Sequence, residues 1–402
     1  MTTAQRPVYP MQRGTCPFDP PRQLARIQAE CPITRVTLWD GTEPWLVTRH
    51  EDLRALMSDS RVSANTLHPN FPHMGEGMKA RQHRAPTFIN MDDPGHAEQR
   101  RKVTADFSIR RIETLRPKVQ GIVDGLIDDM LAGPRPADLV AALALPVPSL
   151  VICELLGVPY ADRATFHELS ATVNSVQVTA AESTAAMEGL LGYLGELVDG
   201  KAAEGTDDLL GRLISGHMVA GDLSRDDIVK IARLLLVAGH DTTANMIALG
   251  TAVLLEHPDE LARLQGDPSP ETVRNAVEEL LRYLTVSHFG RRRVAADDID
   301  HGGRLIRRGE GLIFAADIAN RDPDAFPDPD RLDLTRPARH HVAFGFGVHQ
   351  CLGQSLARLE LEVVFGALFR RIPTLALVGE ASDLRYKSDL AVYGVYELPV
   401  TW

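Results

Sequence analysis

Phe344-Gly345-Phe346-Gly347-Val348-His349-Gln350-Cys351-Leu352-Gly353 is the stretch on which the reading of this chain turns. Glycines surround a single cysteine just before Gln354 to Arg371, a segment whose pattern predicts a helix. A thiol behaves as an ordinary apolar side chain until something makes it a thiolate, and a metal ion is one such agent. Gly345, Gly347 and Gly353 permit tight turns and the close approach of a flat ligand, because glycine accepts positive φ and carries no Cβ. The N-terminus of the following helix, with free N–H groups and the positive end of its dipole, favours negative charge on Cys351. A lone cysteine in a glycine-rich turn is ordinarily a core residue; the ten-residue pattern argues for a ligand instead.

Composition narrows the class. The 402 residues are 44% hydrophobic, enough for a large core, and by length alone could form two or three average domains. Lys and Arg number 43 against 54 Asp and Glu, a formal charge of −11, which excludes a general attraction to nucleic acid. Cys16, Cys31, Cys153 and Cys351 are scattered, with no CxxC, which argues against a zinc site and a disulfide framework alike. The opening segment is polar, contains Pro7 and Pro10, and has no apolar run resembling a signal sequence. The longest apolar run, Leu234 to Gly239, is far short of a membrane span, so a soluble cytoplasmic protein is expected.

In chain order, Val36 to Thr48 alternates around Asp40-Gly41 and predicts a hairpin, followed by helical spacing over Glu51 to Met57. Residues 63–90 are rich in His, Pro, Gly and Met without a sustained period, which predicts a long functional loop of the lid type. Met91 to His96 introduces a helix carrying His96 and Arg100 four residues apart on one face. Helical patterns continue over Ile112 to Leu131, Ser149 to Leu156 and Ala186 to Leu197. Residues 225–256 predict one long helix, started by a capping-box-like Ser224 and Asp227 and stopped by His257-Pro258; at 1.5 Å per residue it spans roughly 48 Å. Its flanks are apolar almost all round, yet its middle reads Ala238-Gly239-His240-Asp241-Thr242-Thr243. Burying an acid and two hydroxyls there is costly unless they are satisfied or used. Glycine with back-bonding threonine is expected to open the helix locally. Glu279 and Arg282 then share a helix face and can pair. Short strands follow at Arg293 to Ala295, Leu305-Ile306 and Gly311 to Phe314, with a proline-rich connection around Asn320 to Pro329 and short terminal strands after Leu384.

The cysteine stretch resembles the haem-binding loop of the cytochromes P450, in which the thiolate is the proximal haem ligand and its electron push favours O–O cleavage. The other motifs follow that family's order over nearly the whole chain. The resemblance implies that Cys351 is the metal ligand, cradled by Phe344, Gly345 and Gly353. It implies that His96, Arg100 and His349 bind haem propionates, for which paired cationic donors suit an anion. Arg293 matches the strand arginine that reaches a propionate, with Arg291 and Arg292 as close rivals. Ala238-Gly239-x-Asp241-Thr242 resembles the oxygen-activation motif, implying that Ala238 lies near the haem, Thr242 holds and protonates oxygen, and Asp241 relays protons from solvent. His240 and Thr243 are then scaffold or relay neighbours. Glu279, Arg282 and Arg331 match a buried structural lock that serves folding and haem retention.

The fold so implied is mainly α with small β-sheets, the cytochrome P450 fold, as a single triangular domain over 1–402. The activity implied is that of a soluble, actinobacterial-type haem-thiolate monooxygenase using O₂ to hydroxylate a largely apolar small molecule, a secondary metabolite or xenobiotic. The cofactor is haem b. No G-x-G-x-x-G follows a strand, so electrons are expected from NAD(P)H through an external ferredoxin and its reductase. Arg100, Arg101, Lys102, Arg339 and Arg358 offer a local basic face for the acidic ferredoxin, with scattered solvated charges as the alternative. A monomer is expected, with no nucleic-acid or membrane partner. Pocket walls are expected at Leu235, Ala238, Val286, Phe289 and Val392, with His73, His83, Arg84, Gln177 and His288 as polar anchors and further lining from 67–89 and 173–179. The rival readings are a haem-thiolate sensor without turnover, a haem-free helical scaffold, and peroxide-driven chemistry that leaves Asp241-Thr242 dispensable.

Overall fold

Apolar side chains at three- and four-residue spacing decide most of the elements. In the helix Arg116–Ala132 the buried residues are Val119, Val123, Ile127 and Met130, a single stripe, and Pro117 stands in the first turn, where its missing N–H costs nothing. The computed structural model describes residues 6–80, 87–162, 168, 169, 172, 180–388 and 390–402. These form two units, the first from Met1–Glu98, Leu249–Gln354 and Gly379–Tyr396, the second from Gln99–Ala248, Ser355–Val378 and Glu397–Trp402.

The first unit carries a five-stranded sheet in the order Ile33–Arg35, Trp45–Val47, Gly311–Phe314, Arg291–Ala295, Val62–Ser63. Trp45–Val47 runs parallel to Gly311–Phe314 and the other pairs are antiparallel, with Arg291 opposite Phe314. Val47, Leu312, Phe314 and Ala295 bury one core with Leu53, Leu56 and Met57 of the helix His50–Met57 and with Val342. The expected hairpin exists, and Gly41 takes a φ of 78° at its turn. Its second strand, Trp45–Val47, falls within the expected bounds, but the first, Ile33–Arg35, lies before them, because Thr37 spends its backbone on Pro7 and Tyr9 rather than on a ladder within the hairpin. The segment 63–90 also departs from a bare loop. It opens in the strand Val62–Ser63 and contains the helix Glu76–Ala80 and a single tight turn at Phe88–Asn90. His83, Arg84, Gln177 and the pocket segment 173–179 lie outside the described residues.

The second unit is mostly helical, with a small sheet in which Pro399–Thr401 pairs with both Ala137–Asp138 and Ala376–Leu377. The long helix runs Arg225–Leu255, 31 residues, and passes from this unit into the first. Ser224 and Asp227 cap it reciprocally, Asp227 N–H donating to Ser224 Oγ at 3.1 Å and Ser224 N–H to Asp227 Oδ2 at 3.1 Å. At its far end His257 Nδ1 lies 2.7 Å from the Val253 carbonyl, and Pro258 begins the next helix. The expected opening at Ala238 to Thr243 is absent: the helix is continuous there. Thr242 Oγ1 does donate back to the Ala238 carbonyl at 2.9 Å, and Asn245 Nδ2 to the Asp241 carbonyl at 2.7 Å, but these bonds supplement the helical ladder without replacing it.

In the first unit, the lock on the helix Pro270–Leu284 is buried without solvent contact. Arg282 donates to both oxygens of Glu279 at 2.7 Å, and both side chains are 0% exposed. Its remaining donors reach the carbonyls of Asn320 and Pro329, each at 2.8 Å. The third arm differs from expectation. Arg331 is exposed and enters only through its carbonyl, which accepts from Arg282 Nη2 at 3.3 Å. The cation that reaches Glu279 is Arg336, whose Nε donates at 3.2 Å while the Asp333 N–H donates at 3.0 Å. The chain reverses at Asp328, in the left-handed region at φ 47°, and again past Asp333, which returns Arg336 over the carboxylate. Removing one member of a buried ion pair strands the other, so Arg282→Ala is expected to cost about 3–5 kcal/mol. Arg331→Ala is expected to stay within about 0.5 kcal/mol, as surface changes do. Urea unfolding of both variants checks the pair.

Candidate active site

The cysteine stretch closes on itself through backbone bonds. Cys351 N–H donates to the Phe344 carbonyl at 2.9 Å, Gly345 N–H to Val342 at 2.9 Å and Gln350 N–H to Gly347 at 3.0 Å. Two of the three glycines are required by this path. Gly345 and Gly347 hold φ of 72° and 73°, and a Cβ on Gly347 would stand 2.3 Å from the Met57 carbonyl oxygen. Gly353 is different: it is not left-handed, and an added Cβ would meet no protein atom within 4 Å. What its missing side chain does is leave the loop clear beside Cys351. The Phe344 ring rests against His341 with centroids 5.7 Å apart.

His96, in the helix Gly95–Thr104, is 2% exposed. Its Nδ1 lies 3.0 Å from Asp93 Oδ1, and its imidazole is the main cause holding the Asp93 carboxyl below the usual range. Its Nε2 is buried and has no hydrogen-bond partner among the described residues, and the His349 ring stands 4.1 Å away, centroid to centroid. Arg100 follows four residues on, half-buried on the same helix face. Strand Arg291–Ala295 supplies three consecutive guanidinium groups, with Arg291 and Arg293 on one face and Arg292 on the other. Arg292 Nη1 lies 3.3 Å from Met78 Sδ. Burial lowers the Arg293 pKa to about 10, with the Arg291 charge adding to the fall and Asp92 opposing it. Burial also lowers Arg291, opposed by the negative charge available at Cys351.

On the long helix the second unit exposes a patch of small and polar groups between stretches that are mostly buried. Ala238 is exposed, Gly239, Asp241 and Thr242 are half-buried, and Leu235 is buried one turn before. His240 is buried, its Nδ1 3.2 Å from Asp241 Oδ1.

Val286 and Val392 lie on paired segments: Ser287 bridges Val392, and Tyr393 N–H donates to the Val286 carbonyl at 2.8 Å. Phe289 is buried, its neighbour His288 tilted against it and against Tyr393 with centroids 5.2 and 5.4 Å apart. The His288 Nε2 lies 3.1 Å from the Ser388 carbonyl, and its buried Nδ1 has no hydrogen-bond partner among the described residues. A cleft of about 480 Å³ in the second unit, lined by Arg111, Lys118, Glu154, Asp207 and Arg212 among others, includes none of these residues.

The residues present fit a haem. A thiol sits in a loop whose Gly353 leaves open space beside it, and a buried imidazole nitrogen without a partner among the described residues sits beside a second imidazole, a donor set suited to an anionic edge group. The family model described as Cytochrome P450 matches residues 271–375, which contain Glu279, Arg282 and Cys351. A relative named cytochrome P450 GfsF, from Streptomyces halstedii, is 50% identical over 399 residues, 98% of this chain and 96% of its own. The chain belongs to the cytochrome P450 family. The 20-oxo-5-O-mycaminosyltylactone 23-monooxygenase of Streptomyces fradiae is 44% identical over 98% of this P450 and 92% of itself. The crystal structure of cytochrome P450 MoxA from Nonomuraea recticatena superposes with a TM-score of 0.94 at 45% identity, covering 98% of each chain. This P450 is accordingly a haem-dependent monooxygenase, mainly α with small sheets.

Sequence reasoning missed Met57, Asp93 and Arg336. Met57 and Arg336 meet their targets across long sequence separations that leave no periodic trace; Asp93, three residues before His96 at a helix start, is a pairing that spacing could have suggested.

His288 sets a pH dependence. Burial and the nearby Arg13 charge push its pKa from 6.5 down to about 4, so the folded P450 resists protonation that the unfolded chain accepts. Stability from this group is complete above 6.5 and is lost as pH falls from there toward about 4. Urea midpoints measured across that interval should fall more steeply for wild type than for His288→Gln.

Proposed function

We propose that this P450 uses O₂ and two externally supplied electrons to hydroxylate a largely apolar secondary metabolite or xenobiotic, releasing the second oxygen as water. The observation that carries the reading is the Asp241-Thr242 pair, half-buried beside Ala238, the one exposed residue of the helix between Ile228 and Leu255. Haem b, when bound, supplies dioxygen binding, its reductive cleavage and oxygen insertion into a C–H bond. Cys351 would ligate it as a thiolate, in a loop whose glycines leave room for a flat ligand, with Phe344, Gly345 and Gly353 forming the cradle. His96, Arg100, Arg293 and His349 hold its propionates; His96 does so through Nε2, oriented by Asp93 on the opposite nitrogen.

Thr242 keeps its hydroxyl proton on the Ala238 carbonyl at rest and can redirect it toward a ligand lying over Ala238. Asp241, half-exposed, exchanges protons with solvent and passes them inward, with His240 against its carboxylate. Leu235, Ala238, Val286, Phe289 and Val392 provide apolar walls, which suits an apolar substrate. The Streptomyces fradiae relative, whose name gives a mycaminosyltylactone as substrate, supports a secondary metabolite as the molecule oxidised. Glu279 and Arg282 brace the fold without touching the chemistry. The whole of 1–402 acts as one catalytic domain, supported by relatives whose matches each cover 98% of it. A cytoplasmic monomer fed from NAD(P)H through a ferredoxin and its reductase completes the reading, supported by the missing nucleotide fingerprint in this chain.

Thr242→Ala tests the proton step. With substrate and redox partners, electron consumption should continue while product per electron falls by about tenfold or more and hydrogen peroxide rises to balance it. Unchanged coupling would favour peroxide-driven chemistry.

A further inference from the structure

Glu278 and His341 form a buried acid–imidazole pair to which the assigned chemistry gives no task. Glu278 precedes the lock residue Glu279 on the helix Pro270–Leu284, and two adjacent acids at this depth each need a partner of their own. Glu279 has Arg282 and Arg336. Glu278 Oε2 lies 3.0 Å from His341 Nε2, and the two side chains are 5% and 1% exposed. Arg339, the cation nearest the other Glu278 oxygen, is 3.9 Å away and mostly in solvent. The opposite nitrogen, His341 Nδ1, accepts the Ala343 N–H at 3.2 Å, so the imidazole proton sits on Nε2 and is donated to the carboxylate. The His341 ring also lies against Phe344, whose carbonyl accepts the Cys351 N–H. An unbroken series of contacts within the first unit therefore runs from Glu278 to the cysteine.

We propose that Glu278 and His341 are positioning residues for the axial sulfur, holding Ala343 and Phe344 so that Cys351 stays placed as a thiolate ligand. This rests on the proposed function above, in which Cys351 ligates the haem. The Met57 contact fixes the loop at Gly347, and Asn320 Oδ1 fixes its entry by accepting the Val342 N–H at 2.8 Å. Between that entry and the left-handed turn at Gly345 stand Ala343 and Phe344, and the imidazole meets both, one through its lone pair and the other through its ring. The carboxylate selects the tautomer. With the proton on Nδ1 instead, the imidazole would set a donor against the Ala343 N–H, and the bond that closes the turn would be lost. Groups that orient a metal ligand from behind ordinarily govern its affinity by about ten- to a hundredfold. When this brace is removed, the sulfur leaves its place and thiolate ligation is lost while the fold persists.

The test keeps the haem-loaded full-length P450 reduced under carbon monoxide and follows conversion of its red-shifted Soret band to the shorter-wavelength band of a neutral axial ligand, with haem content and urea midpoint measured alongside. His341→Phe keeps a ring against Phe344 and removes both hydrogen bonds; it should convert about tenfold or more faster than wild type. His341→Asn restores an acceptor for the N–H two residues on and should recover most of that loss. Glu278→Gln, whose amide oxygen still accepts from Nε2, should fall between wild type and His341→Phe. Val123→Ala, a truncation on the buried stripe of the helix Arg116–Ala132, is the control for lost stability: it should lower the urea midpoint and convert at the wild-type rate. Conversion of His341→Phe no faster than that of Val123→Ala, or equal acceleration in His341→Asn and His341→Phe, overturns the proposal. Should His341→Phe not fold, Glu278→Gln decides, since conversion at the wild-type rate overturns the proposal and faster conversion upholds it. A wild type without the red-shifted band sinks the proposed function and this inference together; a wild type that shows it, beside Glu278 and His341 variants that convert at the same rate, sinks only the inference.

Discussion

The Cys351 loop passes so close to the Met57 carbonyl that no side chain fits at Gly347, and this contact sets where the sulfur stands. Met57 is itself fixed, packed with Leu53 and Leu56 against Val47, Phe314 and Val342 in the core of the five-stranded sheet. The loop therefore inherits its position from a hydrophobic core rather than from its own short bonds. Close-packed cores transmit such positions with little slack. The same sheet carries Arg291 and Arg293, so the thiol and the cations beside it are referred to one rigid frame.

A second layer of constraint comes from buried polar groups that must be satisfied. Glu279 and Arg282 tie the helix Pro270–Leu284 to the irregular chain around Asn320, Pro329 and Asp333, which has no ladder of its own to hold it. Asn320 adds to this, its Nδ2 donating to Thr285 Oγ1 at 2.8 Å and its Oδ1 accepting from the Val342 N–H at 2.8 Å, three residues before Gly345. Such a network does little for net stability against an apolar alternative, but it allows only one arrangement of an otherwise unstructured stretch.

Local pattern made much of this legible in the sequence. The long helix, its capping box and its stop at His257-Pro258 were readable because each depends on neighbours within four residues. The ten-residue cysteine stretch disclosed the family for the same reason, and the comparisons bear that out. Long-range partners were not readable. Arg336 replaces Arg331 at Glu279 because a chain reversal, invisible to periodicity, brings it back. The unbroken helix at Ala238 to Thr242 also escaped the sequence, since back-bonding hydroxyls are compatible with both an open and a closed turn. Of the three glycines, Gly345 and Gly347 are left-handed and Gly353 is not, a distinction the sequence pattern does not carry.

The central claim is that Cys351 binds haem iron as a thiolate. Its most direct test is the absorbance of the folded, haem-loaded protein reduced under carbon monoxide. The account predicts the red-shifted Soret band of a thiolate-ligated ferrous carbonyl, lost in Cys351→Ala. A native protein that binds haem but shows only the shorter-wavelength band of a neutral axial ligand, or a Cys351→Ala variant that keeps the red-shifted band, would contradict it.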